Sequence, residues 1–446
     1  MGLSRRAWLW TALGTTGALI VGWSGLPPRS RLGAADALPV SDGALALNGW
    51  IAVRPDGLVQ LAMPWAEMGQ GVHSALALLV AEELHLAPAQ VQPVEAPDEK
   101  IYGNLAVFEA SLPLHPRDTE PGHETLAARL GQWMVRKLAR ELGVAVTGGS
   151  STIADSWHAL RLAAATARAQ LLGAASLKWK LPVAELAVRE GVVFHGEDRL
   201  AHYGELAEAA QGTRPGEVRF VPRAQWRLIG RPQPRLDTLA KSQGRAIYGI
   251  DVRQPGQRFA VLRHAPALGG RIQALRNEAE VRALPGVEAV VRLAGHAGGT
   301  EAVAVVASNT WLAWQAARAL VIDALPPEGG GASSAAILAS LQAAAAQAAT
   351  EDGGFSFHAE GDAIGTLAHS PEVVEARYHA PYLAHATMET MNATAHLDAQ
   401  GRLELWAPTQ VPGLARRAAA EAAGVPLAQV RLHMTLLGGG FGRRLE

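Results

Sequence analysis

Apolar and polar positions along this chain fall into short alternating runs punctuated by glycine and proline, with stretches of helical period between them. In GALALNGWIAVRPDGLVQLAMPWAEMGQG, residues 43–71, apolar and polar residues alternate on both sides of Pro55-Asp56-Gly57, the pattern of a β-hairpin. The alternation stops at Gly69-Gln70-Gly71, and VHSALALLVAEELHL then runs at helical spacing. A strand should therefore feed a glycine turn at a helix N-terminus. Backbone N–H groups and the helix dipole favour an anion there, although such a turn also serves simply to pack a helix tightly on a sheet.

The construction recurs at 143–175, where a short strand, the turn Thr147-Gly148-Gly149-Ser150-Ser151-Thr152 and a long alanine-rich helix are expected. Hydroxyls beside glycines at a helix start either cap it or grip phosphate and ring oxygens. Residues 235–325 read as a separate α+β module. Strand-like runs flank Pro255-Gly256, another strand ends LPGVEAVVRL, and EAVAVVASNTWLAWQAARALVIDAL reads strand, helix, strand. PPEGGGASS is a linker by composition, and the alanine-rich run after it is a surface helix or a spacer. From 372 the pattern returns to strands with one helix, ending on the loop LLGGGFGRR. His379, His385, Glu389 and His396 invite a metal-site reading, but their spacing matches no single helical face.

Composition narrows the chemistry. The 446 residues are 49% hydrophobic, enough for two or three domains with real cores. A formal net charge of -1 gives no global field toward nucleic acid. There is no cysteine, which excludes disulfides, a thiol nucleophile and an iron–sulfur cluster held by this chain. At the N-terminus, Arg5 and Arg6 precede an apolar run from Ala7 to Trp23. That is an export signal, expected to use the twin-arginine route, with an ordinary secretory signal or a short anchor as the other readings.

Taken together, EMGQG at 67–71, TGGSST at 147–152, RLDTLAKSQGRAIYGIDVRQPGQRFAVL at 235–262, YLAHATMETMNATAH at 382–396, LWAPTQVPG at 405–413 and GGGFGRR at 438–444 resemble the molybdenum hydroxylases, the xanthine dehydrogenase/aldehyde oxidase family. The likeness is to the exported large-subunit branch typified by isoquinoline 1-oxidoreductase β subunits and membrane aldehyde dehydrogenases. It implies an α+β fold in which molybdopterin-binding domain pieces flank an α/β hammerhead domain. The implied divisions are a signal or anchor at 1–37, a permuted N-terminal molybdopterin-binding segment at 40–225, the hammerhead at 235–325, linker and helix at 326–371, and the first part of the main molybdopterin-binding domain at 372–446.

The resemblance also implies a molybdopterin, in its cytosine dinucleotide form, bound through loops with no direct side-chain ligand to the metal. Gly69, Gln70 and Gly71, the turn Thr147, Gly148, Gly149, Ser150 and Ser151, and the loop Gly439, Gly440, Phe441 and Gly442 would contact it. Phe441 would lie near the substrate, and Arg443 would either neutralise cofactor phosphate or stay solvated. The implied reaction is oxidative hydroxylation of an aldehyde or N-heteroaromatic, with water as oxygen donor. Electrons would leave through 2Fe-2S clusters on a small partner subunit and then a cytochrome c. In the family a further cofactor-binding region and a general-base glutamate follow the glycine loop, so the chain is expected to be truncated or to need a polypeptide supplying the C-terminal half. The expected location is the periplasm, with membrane association possible in principle. The chain departs from the family at Thr390, where proline is usual. Two other readings stand beside this one. A non-catalytic scaffold subunit is the first. A Rossmann-type nucleotide loop at LLGGGFG is the second, and it requires a following helix that the sequence does not offer.

Overall fold

The computed structural model describes residues 29–35, 38–295, 299–348 and 360–445. Arg5, Arg6, the apolar run after them and Glu446 lie outside the described residues. The chain forms two compact units, one made of residues 1–252 and 385–446, the other of residues 253–384.

The first unit opens with strands β1 (Leu45–Ala46), β2 (Ile51–Val53) and β3 (Val59–Met63). β2 and β3 pair antiparallel with Val53 opposite Val59, so the hairpin turns at Pro55-Asp56-Gly57 as its sequence requires. Helix α1 (Val72–Leu84) carries the chain back to β4 (Val91–Glu95), which pairs parallel with β3 and completes the order β1-β2-β3-β4. α1 is apolar nearly all round, as a helix covered on several sides must be, and it packs on the long helix α4. Helices α2 (Leu105–Ala110), α3 (Leu126–Leu142) and α4 (Thr152–Trp179) follow. Residues 144–147, expected as a short strand, form none. Their backbone bonds instead go to Asn104 and Gln410. A meander of β5 (Leu186–Arg189), β6 (Val192–His195) and β7 (Asp198–His202) leads to α5 (Tyr203–Gln211), and α6 (Thr238–Ser242) comes later. One core joins the sheet, α1, α4 and α5 around Trp50, whose ring stacks on Trp65 at 5.8 Å and meets Tyr102 edge-on at 4.7 Å. Offset and edge contacts of this kind are the arrangements the ring quadrupoles favour.

The second unit holds β8 (Phe259–His264), β9 (Arg271–Leu275), α7 (Glu278–Arg282), β10 (Val287–Leu293), β11 (Ala302–Ala307), α8 (Thr310–Ala319) and β12 (Ile322–Leu325). The strands pair antiparallel as β10-β11-β8 and β12-β9, around a separate core that includes Val281, Val303 and Val305. The run before Pro255 is not a strand, because Gly249–Asp251 makes a tight helical turn there instead. α9 (Ser334–Ala348) buries none of its residues, and α10 (Ala363–His369) follows. Residues 371–380 are irregular and exposed.

The chain re-enters the first unit with β13 (Thr394–Leu397), β14 (Leu403–Ala407), α11 (Pro412–Ala423) and β15 (Val430–Met434). β13 pairs antiparallel with β14, and β14 parallel with β15. This repeats the β2-β3-α1-β4 arrangement. Val59 pairs with Val91 in one copy and Leu403 with Val430 in the other. Each first parallel strand ends on a proline, Pro64 or Pro408, and each second is entered through Ala-Gln-Val. Among the described residues, no helix is long and apolar enough to cross a membrane.

Candidate functional site

The Gly-Gln-Gly turn lies between β3 and α1, and a buried carboxylate shapes it from behind. Glu67 is 1% exposed. Its Oε1 accepts the N–H of Gly69 at 2.9 Å and of Gly71 at 3.0 Å, and its Oε2 accepts the N–H of His73 at 3.1 Å. Arg235 closes the cluster, donating Nη2 to Glu67 Oε1 at 3.1 Å and Nη1 to the Gly69 carbonyl at 2.8 Å. These donors, set on several sides, offset the desolvation of the buried carboxylate. Arg235 and Lys241 also pair with Asp237. The Arg235 hydrogen bond foremost, with Lys241, holds that carboxyl down at about 2. The two glycines have φ of +104° and +86°, values that side chains rarely adopt. Gln70 folds over its own turn, its Oε1 accepting Met68 N–H at 2.7 Å and its Nε2 donating to Ala66 O at 2.9 Å.

The turn at 147–152 divides into an inner and an outer part. Thr147 is buried, and its hydroxyl accepts the Ala66 N–H at 2.8 Å. Its N–H donates to Gln410 O at 2.9 Å, while Gln410 Nε2 donates to Thr147 O at 2.7 Å. Ser151 donates its hydroxyl to Gly148 O and accepts from Asn104, both at 2.7 Å, so it does not cap α4. Gly149 and Ser150 are exposed at the start of this 28-residue helix, and among the described residues no side chain caps its N-terminal amides. That is the environment in which an anion is welcome.

The glycine loop after β15 is framed by a buried ion pair. Arg444, its side chain 0% exposed, donates to Glu389 Oε2 at 2.9 Å and also to the carbonyls of Gly439 and Glu389. Glu389 accepts from Gly438 N at 2.8 Å through Oε2, and from Ile250 N at 2.9 Å and Asn392 Nδ2 at 3.0 Å through Oε1. Burial lowers the basicity of Arg444, and the Glu389 charge opposes that shift. Phe441 is exposed at the loop tip with φ +51°, and Arg443 and Gly442 are exposed beside it.

The structure brings these loops together. Leu437 N donates to Glu67 O at 3.0 Å. A Cβ on Gly440 would run into Met68 Sδ and come within 3.0 Å of Gln410 Oε1, so a larger residue there would have to push those two side-chain ends aside. Gly148 faces Leu445. A cavity of about 440 Å³ beside the junction is lined by Glu67, His73, Arg245, Ile247, Met434, Thr435 and Leu436. Burial pushes the His73 imidazole below its usual range. Gln410 Oε1 and Thr435 Oγ1 are buried without a hydrogen-bond partner. The expected site residues thus converge, but in two roles. Thr147 and Ser151 spend their hydroxyls inside the fold, whereas Gly69, Gln70, Gly149, Ser150, Phe441, Gly442 and Arg443 are exposed.

The expectation passed over Arg235, Gln410 and Arg444 and gave no role to Glu67, which together hold the loops. Glu67 stands two and four residues before the glycines, a spacing at which a carboxylate reaches back to their amides, and that signal was available. Of the four residues considered as metal ligands, Glu389 is the partner of Arg444, and His379, His385 and His396 are exposed. Among the described residues, no cluster of three or more acidic or histidine side chains is arranged to hold a metal ion.

Residues 347–446 match one molybdopterin cofactor-binding domain family and residues 6–107 match a second. The isoquinoline 1-oxidoreductase subunit beta of Brevundimonas diminuta is 28% identical over 484 residues, covering 100% of this chain and 56% of that protein. A membrane-bound aldehyde dehydrogenase (pyrroloquinoline-quinone) of Gluconacetobacter polyoxogenes is 27% identical, covering 100% of this chain and 52% of that protein. The chain thus spans about half the length of the curated relatives it matches. Among solved structures, quinoline 2-oxidoreductase from Pseudomonas putida 86 aligns over 47% of this chain and 30% of that one, at 21% identity and a TM-score of 0.32.

Proposed function

Since the chain belongs to the molybdenum hydroxylase family, we propose that it is the molybdopterin-binding part of an oxidoreductase acting on an aldehyde or N-heteroaromatic. The observation that carries this reading is the convergence of three glycine-bearing loops, joined by Glu67, Thr147, Gln410 and the Leu437 amide, in one unit. The residues suit a pterin dinucleotide. Gly149 and Ser150, exposed at the start of α4, leave that helix N-terminus open to a phosphate, while the Ser151 amide is held by Gly148 O.

When bound, the pterin-held metal supplies a two-electron oxidation with water as the oxygen source. The chain's own residues do the positioning. Gln70 and the exposed Ser150 hold the cofactor, and Arg443 offsets phosphate charge. Phe441 orients an aromatic or aldehydic substrate by contact with its ring face. A chain without cysteine passes electrons to clusters on a partner, so an iron–sulfur subunit and then a cytochrome c belong to this proposal. The cytosine dinucleotide form, export by the twin-arginine route and residence in the periplasm belong to it too, on the strength of Arg5, Arg6 and the family likeness. Residues 235–325 would be the hammerhead.

The test is to purify the protein from its native host with whatever accompanies it, and to measure molybdenum and pterin per chain. A ratio near one is expected. A folded chain carrying neither would overturn the reading and favour a scaffold role.

A further inference from the structure

Glu67 lines the cavity beside the loops, and a buried glutamate there invites an acid–base role. Its surroundings argue otherwise. Both carboxylate oxygens are engaged, by the N–H groups of Gly69, Gly71 and His73 and by Arg235, with Lys241 Nζ at 3.9 Å. Neither oxygen is left to receive or deliver a substrate proton, since each already holds a backbone amide of the turn. The same bonds have a second consequence. The amides of both glycines are directed to the rear of the turn and are therefore spent. Among the described residues, the Gln70 N–H has no protein acceptor, and the Gln70 side-chain amide keeps one proton and one lone pair uncommitted after its bonds to Ala66 and Met68.

We infer that Glu67 is a positioning residue of the cofactor site, fixing the Gly69–Gly71 turn from behind so that, within this turn, recognition of the bound group passes through Gln70 alone. The glycines are then needed for their backbone angles and not as donors. Arg235 acts at one further remove, balancing the Glu67 charge and gripping the Gly69 carbonyl. The inference rests on the reading of this site as a pterin site, and it extends that reading to a division of labour within one turn.

The test compares the wild-type protein with E67A, E67Q and Q70A, each isolated as the full chain with its native companions. Pterin per chain and amide hydrogen exchange across residues 59–84 are measured. In E67A, exchange at Gly69, Gly71 and His73 should rise about tenfold or more while Leu61 and Leu76 keep their protection. Pterin content should fall about tenfold, as when an outer partner that orients a ligand-holding group is removed. Q70A should lose pterin to the same degree with exchange at Gly69 and Gly71 unchanged. Should E67A fail to fold, E67Q carries the test. Its remaining oxygen can serve Gly69 and Gly71, so faster exchange at His73 alone and a smaller loss of pterin are expected. Wild-type exchange at Gly69 and Gly71 in E67A, or at His73 in E67Q, would overturn the inference, as would full pterin content in E67A despite a loosened turn. A wild-type protein without pterin would instead sink the functional reading, and the exchange comparison would still decide whether Glu67 holds the turn.

Discussion

Arg444 places a guanidinium where none of its side chain meets solvent, and among the described residues Glu389 is its charged partner. Replacing Arg444 with methionine would leave that carboxylate buried and uncompensated, at a cost of about 3–5 kcal/mol. The double variant R444M/E389M should recover much of the loss, which urea midpoints of the three variants would show. Gly440→Ala is a second residue-scale prediction. Its Cβ must displace Met68 and Gln410, costing about 1–3 kcal/mol, and M68A in the same chain should relieve part of it. These roles were the least legible in the sequence. The glycines announced themselves because their spacing is unusual. Arg444 looked like any arginine beside a loop, and Glu389 stood among histidines that suggested a metal. Their pairing depends on chain brought in from residue 250 and residue 408.

Elements were easier to read where one short-range rule decided them. The β2–β3 hairpin follows from alternation around Pro-Asp-Gly, and the β3–α1 step from the change of period at Gly71. The β5–β6–β7 meander went unread, although Glu190-Gly191 and Gly196 mark its two turns with positive φ. The strand expected at 144–147 failed because no neighbouring strand was there to pair with it. The α+β class came through, and so did the β14–α11–β15 unit, whose identity of plan with β3–α1–β4 appears only once registers are compared. At the end of α1, His85 takes a left-handed conformation, and burial foremost, then Arg168 and Arg227, push its imidazole down to about 4. The folded state therefore binds fewer protons than the unfolded state between the ordinary value near 6.5 and that figure. Stability should be whole above about pH 6.5, decline as pH falls through this window, and level off below about 4. His85→Asn, which tolerates the same backbone angles, should flatten the decline in a series of urea melts.

On the scale of the molecule, the Trp50 core of the first unit and the Val303 core of the second are built from different stretches of chain. Val303→Ala in the second unit removes two buried methyl groups at a cost of about 1–3 kcal/mol. Hydrogen exchange should report the loss across Ala302–Ala307 and leave Ile51–Val53 as protected as before. The first unit has the opposite character, since Thr147 and Gln410, joined by reciprocal bonds, stand 263 positions apart. At a synthesis rate of about 5–20 residues per second, the ribosome delivers the second of these partners some tens of seconds after the first. Throughout that wait the Gly-Gln-Gly turn exists without the loop that completes its surroundings. The nascent chain must keep β3 and α1 from finding other partners, and a holding chaperone is the kind of companion such a delay calls for. A prosthetic group bound by these loops can therefore be seated only after the segment around Gln410 has been made.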